Sequence, residues 1–102
     1  MNVKVNSSSE LVVYGNVKNV NDYQEIKRVV TDMLREGDGQ LTIYMADSFS
    51  ITSSVIGYFL KLVYQDGVKL TLMVSDERLL SLLNDLRLTE AFNAQKSERK
   101  DL

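Results

Sequence analysis

The sequence predicts an α/β domain in which helices alternate with the strands of a mostly parallel sheet. Two short runs rich in β-branched residues come first, at positions 3–5 and 11–14. Two further strand-like runs, at positions 40–45 and 68–74, are each followed by a segment whose apolar residues recur at helical spacing. The resulting order, ββαβαβα, is typical of a parallel sheet with right-handed crossovers, here with an antiparallel N-terminal strand.

The first half of the chain supplies a hairpin and one amphipathic helix. Asparagine and serine at positions 6–9 predict a turn between the first two strands. Asn19 or Asn21 is expected to cap the first helix, because its side chain can accept a hydrogen bond from a free backbone N–H group. Gly37 is a natural stop for this helix and leads into the third strand.

The second half supplies two more strand–helix units. The second helix is expected to run to about Gln65. Positions 68–74 are apolar nearly throughout, which predicts a central strand covered on both faces. Ser75 is expected to cap the last helix, whose leucines face the core. A short closing segment is then expected to pack back on the core: Leu88, Ala91 and Phe92.

The composition fits one domain and narrows the classes of function. A chain of 102 residues, 44% of them hydrophobic, is long enough to bury one core. Histidine and cysteine are absent, which removes the commonest general base, the commonest metal ligand and disulfides. The net charge of −2 argues against nucleic-acid binding. We therefore expect a chain that is not an enzyme, with no metal, cofactor or nucleic acid.

The segments flanking the core give the expected location and boundaries. The sequence contains no run of about 18 apolar residues, so no membrane span is predicted, and the first residues do not resemble a signal peptide. A cytoplasmic protein is expected. The domain is expected to occupy residues 1–95, followed by a polar tail over residues 96–102.

A hydroxyl cluster lies between the third strand and the second helix: Ser50, Thr52, Ser53 and Ser54. Free backbone N–H groups and the helix dipole favour an anion at such a helix start. Thr52 and Ser53 are also preferred capping residues, and taken alone the cluster is more simply explained as a cap.

A resemblance to a known family lies in residues 51–60, which read Ile-Thr-Ser-Ser-Val-Ile-Gly-Tyr-Phe-Leu. This string resembles the signature of STAS domains, the fold of bacterial anti-sigma factor antagonists, whose turn usually reads Asp-Ser-Ser-Gly-Leu-Gly or Asp-Ser-Thr-Gly-Leu-Gly. Residues 66–72 and 79–92 are similar to later parts of the family, so the resemblance covers about residues 3–92. Thr52 stands where the family usually has aspartate, and Val55 where it usually has glycine.

The resemblance implies a signalling protein that acts by partner switching in transcription regulation. In the family, the second hydroxyl residue of the signature is the phosphoacceptor. The resemblance therefore implies phosphorylation at Ser54, with Ser53 as the second candidate site and Thr52 as the third. The implied partners are a serine kinase that is also an anti-sigma factor, and a metal-dependent serine phosphatase. The alternative, motivated by Thr52 and Val55, is a non-phosphorylated STAS binding subunit of a lipid-transport ATPase or of a signalling scaffold.

One stripe of the second helix is predicted to face such a partner. At helical spacing Gly57, Tyr58 and Lys61 follow Ser54, so Tyr58 and Lys61 are expected on the exposed side and Gly57 allows close approach. Alternatively, Gly57 eases packing of the helix on the sheet, Tyr58 is half-buried and Lys61 is merely solvated. The protein is expected to be a monomer or weak dimer. The predicted partner-binding set is Ser50, Thr52, Ser53, Ser54, Gly57, Tyr58 and Lys61.

Overall fold

Five strands and three helices make up the part of the chain that the computed structural model describes, residues 1–97. In chain order these are β1 (Asn2–Ser7), β2 (Glu10–Tyr14), α1 (Val20–Glu36), β3 (Gln40–Met45), α2 (Ser53–Tyr64), β4 (Lys69–Val74), α3 (Glu77–Asp85) and β5 (Ala94–Lys96). The predicted α/β class is confirmed, and the predicted order ββαβαβα is followed by one additional strand.

The sheet has the spatial order β1-β2-β3-β4-β5. β1 pairs with β2 in antiparallel orientation, and all later neighbours are parallel. Each crossover therefore steps to the next strand in the same direction. Because such crossovers are right-handed, all three helices pack on one face of the sheet.

The core lies between that face and the helices. Alternate residues of the inner strands point into it, including Leu41 and Ile43 of β3 opposite Leu70 and Leu72 of β4. Phe59 of α2 is at its centre, fully buried, with its ring edge-on to Phe92 at 5.7 Å between centroids. Burial of these apolar side chains is the main force holding helices to sheet.

The prediction that β4 is covered on both faces is wrong. Thr71 and Met73 point to the helix-free face and are only partly buried. Tyr44 of β3 shares this face, and its hydroxyl donates to Glu10 Oε2 at 3.2 Å. The apolar run could not reveal this, because the sequential strand order is what sends every helix to the other side.

The first helix forms as its end signals predict. Of the two candidate caps, Asn19 is the one used, since its Oδ1 accepts a hydrogen bond from the Asp22 N–H at 2.9 Å. Ile26 and Val30 face the core, and Gly37 ends the helix. Within residues 1–97 the helices are all too short or too polar to cross a membrane.

The closing segment packs as expected, but the fold extends further than predicted. Phe92 is fully buried, and β5 follows it and pairs with β4. Lys96 belongs to β5 and Ser97 is buried, so the expected boundary at residue 95 falls short of the folded part. The rest of the predicted tail, residues 98–102, lies outside the described residues.

Candidate functional site

Three hydrogen bonds tie the loop before α2 to the loop after β2. The Gly15 N–H donates to Asp47 Oδ1, and the fully buried Ser48 hydroxyl donates to the Gly15 carbonyl. The Phe49 N–H donates to Asn16 Oδ1 at 2.9 Å. These bonds join the carboxyl ends of two neighbouring parallel strands, so the start of α2 is held in a defined position.

Thr52 is the cap of α2. Its backbone is extended, and its Oγ1 accepts a hydrogen bond from the Val55 N–H at 3.4 Å. The Thr52 carbonyl accepts the Ile56 N–H at 3.1 Å and so starts the helical ladder. Of the two capping candidates, Thr52 therefore fills the role and Ser53 does not, and Ser50 lies half-buried ahead of it.

Ser53 and Ser54 open the first turn of α2 with exposed side chains. The side chain of the next residue, Val55, is fully buried and anchors this turn to the core. Residues 53–56 include no carboxylate, so the positive end of the helix dipole has no acidic side chain in its own first turn. The two serine hydroxyls are therefore accessible at a position that favours negative charge.

Part of the predicted stripe is exposed. Gly57 and Lys61 lie on the solvent side with Ser54, and the Lys61 ammonium pairs with Asp66 Oδ2 at 3.1 Å. Apart from its two chain neighbours and the adjacent backbone of α2 itself, a Cβ atom placed on Gly57 would meet no atom of residues 1–97 within 4 Å. The glycine therefore does not serve close packing of α2 on the sheet, and it leaves a smooth patch open to solvent.

The predicted exposure of Tyr58 is wrong. Its side chain is only 6% exposed, and its ring packs edge-on to Tyr23 of α1 at 6.2 Å between centroids. Burial raises the pKa of the Tyr58 phenol, and a hydrogen bond with Thr31 of α1 opposes that shift. Tyr58 lies about 40° round the helix from Ser54. That is far enough for the neighbouring helix to cover it, and periodicity within α2 alone could not show this.

Two exposed aromatic residues near the site were missed by sequence reasoning. Tyr64 is 71% exposed and lies seven residues after Gly57, so helical spacing could have placed it on the same side. Phe49 is 44% exposed, and the Arg78 guanidinium stacks 4.4 Å from its ring centre. No sequence signal predicts that pair, because Phe49 lies in the loop before α2 and Arg78 in the first turn of α3.

The start of α3 carries the charge that the start of α2 lacks. Asp76, not the expected Ser75, is the cap, and its Oδ1 accepts the Arg78 N–H at 2.8 Å. Hydrogen bonds from the Arg78 side chain, one of them 2.7 Å long, and from its backbone lower the pKa of Asp76 to about 2. The Ser75 hydroxyl is buried and has no hydrogen-bond partner within residues 1–97.

The chemistry of the site is that of accessible hydroxyls on a rigid turn. Within the described residues, no group of three or more acidic side chains is arranged to hold a metal ion. The exposed features of the site include two serines, a glycine and two aromatic rings, and aromatic side chains are enriched in protein interfaces. The chain matches no protein-family model and no curated protein sequence.

Proposed function

We propose that the protein is a STAS-type signalling regulator that acts by partner switching and is controlled by phosphorylation of Ser54. One observation carries the proposal. The hydroxyls of Ser53 and Ser54 are exposed in the first turn of α2, while the Thr52 hydroxyl is occupied as the cap. A kinase can therefore reach the motif serine without unfolding the helix.

A phosphoryl group at this position has a clear physical effect. It adds a charge of roughly −1.5 to −2 at pH 7. The first turn of α2 tolerates that charge, since the helix dipole favours an anion and no carboxylate of residues 53–56 competes. The fold is then unchanged, and the modification acts on whatever covers the surface.

The partner surface proposed here is the exposed side of α2: Ser53, Ser54, Gly57, Lys61 and Tyr64. Gly57 lets a partner approach the helix backbone, and Tyr64 offers an aromatic contact of the kind enriched in interfaces. Tyr58 is removed from this surface because it belongs to the contact between α1 and α2. A phosphoryl group on Ser54 places bulk and charge inside this surface, which breaks a complementary interface.

The partners follow from the proposed class. A serine kinase that doubles as an anti-sigma factor binds the unmodified protein and phosphorylates it, and a metal-dependent phosphatase reverses the modification. The protein is then a kinase substrate and not itself an enzyme.

The phosphorylation is tested by intact mass. The protein is incubated with ATP and the serine kinase encoded nearest its gene, in parallel with Ser54→Ala, Ser53→Ala and Thr52→Ser. The expected result is one phosphoryl group on all forms except Ser54→Ala. An adduct that persists in Ser54→Ala but not in Ser53→Ala moves the site to Ser53, and no adduct on any form overturns the switch.

The surface is tested separately, by a matched pair at Gly57. Gly57→Ala adds only a methyl group and Gly57→Gln adds a longer side chain at the same open position. Both are expected to fold, since either residue suits a helix better than glycine. Kinase binding, measured by calorimetry with an inert ATP analogue, is expected to survive in Gly57→Ala and to weaken in Gly57→Gln. If the kinase binds Gly57→Ala and Gly57→Gln equally well, the exposed side of α2 is not the partner surface.

A second candidate is a STAS binding subunit that is never phosphorylated. The observation that favours it is the start of α2 itself. Thr52 is engaged as the cap and Val55 is anchored in the core, so this turn is complete without modification. Copurification with a transporter ATPase in a defined stoichiometry, together with an unmodified mass from cells, would favour this candidate over the switch.

A further inference from the structure

The outer edge of β5 forms a second feature, two strands along the sheet from β3, the strand that leads into the hydroxyl cluster. We propose that this edge and the groove beside it bind a short extended segment of a partner protein, which pairs with β5 as a sixth strand. This inference does not depend on the proposed function, because it concerns other residues and another mode of recognition.

The backbone of β5 leaves polar groups pointing outward. The Ser97 N–H donates to the Val74 carbonyl at 2.8 Å, and the Leu72 N–H is shared between the Phe92 and Asn93 carbonyls, at 3.1 and 3.4 Å. Residues 93, 95 and 97 therefore direct their backbone groups toward β4. The backbone N–H and C=O groups of successive strand residues point to opposite sides, so those of Ala94 and Lys96 point away from the sheet.

Most of these outward groups are available for an added strand. The Ala94 N–H is already used, because it donates to the Thr89 carbonyl at 2.8 Å. Among residues 1–97, no bonding partner is recorded for the Ala94 carbonyl or for the two backbone groups of Lys96. No strand of residues 1–97 pairs with this side of β5, which is the last strand of the sheet. The edge thus presents two acceptors and one donor, the pattern that an extended backbone matches.

A groove of about 480 Å³ runs along this edge on the helix side. Leu80 and Ala94 give the groove an apolar part, and its polar lining includes Ser81 and Asn84 of α3 and the paired side chains of Glu77 and Lys96. The buried hydroxyl of Thr89, which also lines the groove, has no hydrogen-bond partner within the described residues. An added strand would place every second side chain in this groove. We therefore expect an apolar residue over Leu80, with polar neighbours.

The edge lacks the protection that the opposite edge has. On β1 the charged Lys4 is exposed, and the pairing with β2 is irregular between Val5 and Ser7. Charged side chains and bulges of this kind discourage pairing with another chain. The charged residue of β5, Lys96, instead turns its ammonium back to the Ser75 carbonyl at 2.8 Å and to Glu77 at 3.5 Å. Lys96 therefore does not shield the outer backbone of β5.

A peptide fits this edge better than a second copy of the chain. Two copies of β5 could pair in antiparallel orientation about Gln95. Each Ala94 N–H would then have to donate to a Lys96 carbonyl of the other copy, but this N–H already donates to the Thr89 carbonyl of its own chain. With only three residues in β5, such a pair would also fall well short of the roughly 1,200 Å² that stable interfaces bury. A peptide avoids both problems because it can continue past β5 and fill the groove with its side chains.

The test begins with the full chain and a probe selected without bias. Displayed random dodecapeptides are panned on the protein, and the best binder is synthesised. Hydrogen exchange is then followed by NMR. In the free protein the Lys96 amide is expected to exchange quickly, and saturating peptide is expected to slow it by about tenfold or more. The largest peak shifts are expected in β5 and α3.

Three variants make the assignment specific. Lys96→Pro removes the outward donor, which an edge strand tolerates, and is expected to weaken peptide binding by roughly threefold to tenfold. Lys96→Ala keeps the N–H group and is expected to bind within about twofold of the original. Ser81→Arg places a long side chain in the groove from an exposed position on α3, and it is expected to abolish binding. This variant still tests the proposal if Lys96→Pro does not fold.

Several outcomes would overturn the inference. These are failure to select any peptide, peak shifts confined to another surface, and equal binding by Lys96→Pro and Lys96→Ala. A Lys96 amide already protected in the free protein would mean that the edge is covered by the protein itself. Sedimentation would then show whether a second copy or the same chain covers it.

Discussion

The starts of α2 and α3 lie side by side, yet they are stabilised by different chemistry. They follow neighbouring parallel strands whose ends, Met45 and Val74, are paired. The start of α3 has a carboxylate cap, Asp76, and a second acid in its first turn. The start of α2 has a threonine cap and only neutral side chains in residues 53–56. The dipole of α3 interacts with ionised acidic side chains at its start, whereas the first turn of α2 contains no carboxylate.

The two helices also differ in what anchors them. Two residues of α3, Leu79 and Leu83, are buried, while α2 buries a larger apolar set: Val55, Tyr58, Phe59 and Leu62. A helix held so firmly by its core side does not depend on charge at its start. If the proposed function is right, this burial lets the first turn of α2 accept an added charge, and four measurements test the difference between the two helices.

The largest effect is expected from the anchor of α2. Phe59→Ala removes a fully buried ring that contacts Phe92 and should lower the free energy of unfolding by about 3–5 kcal/mol. Urea denaturation measures this, with the exposed Tyr64→Ala as control, expected within about 0.5 kcal/mol of the original. A small loss in Phe59→Ala would mean that core burial does not hold α2.

The next effect tests the neutral cap. Thr52→Ala removes the acceptor for the Val55 N–H and should cost about 1 kcal/mol of unfolding free energy, and Thr52→Ser should recover most of it. Ser53→Ala is the matched control and should change stability little, because Ser53 lies after the cap. If Ser53→Ala costs as much as Thr52→Ala, the assignment of the cap is mistaken.

A smaller effect, of opposite sign, tests whether the first turn of α2 accepts charge. Ser54→Asp should stabilise the protein by about 0.3–1 kcal/mol at low salt, because a carboxylate there interacts favourably with the helix dipole. Ser54→Asn, similar in size and neutral, isolates the charge, and the difference between the two should shrink as salt is added. Destabilisation by aspartate alone would contradict the proposed room for a phosphoryl group.

The smallest effect concerns the charged start of α3. The pKa of Asp76 is lowered from 3.8 to about 2, so its ionised form favours the folded state. This contribution is present above about pH 4 and is lost as the pH falls toward 2. Melting temperatures of the original and of Asp76→Asn, measured across that window, should therefore converge at acid pH. Parallel curves would show that Asp76 contributes no pH-dependent stability.

Local patterns predicted most of the fold, and non-local contacts account for the differences. The apolar character of positions 40–45 and 68–74 located β3 and β4, because that signal lies within each strand. β5 was not predicted, since Ala-Gln-Lys carries no strand signal and its strand conformation comes with pairing to β4. The shift of the α3 cap from Ser75 to Asp76 depends on backbone angles that composition does not encode.

The candidate site was predictable to a similar degree. The hydroxyl cluster and the exposure of Gly57 and Lys61 followed from residue type and helical spacing. The burial of Tyr58 did not, because it is caused by α1, which approaches from another part of the chain. The contact of Phe49 with Arg78 likewise joins a loop to the first turn of α3, which is distant in sequence.

The hydrogen bonds that tie Gly15 and Asn16 to the loop before α2 have a consequence for recognition. They fix the shape of this corner before any partner arrives, so that little conformational entropy is lost on association. The backbone of this corner is therefore expected to be the same whether or not Ser54 carries a phosphoryl group. Under the proposed function, a partner would then recognise only the charge and bulk that the group itself adds.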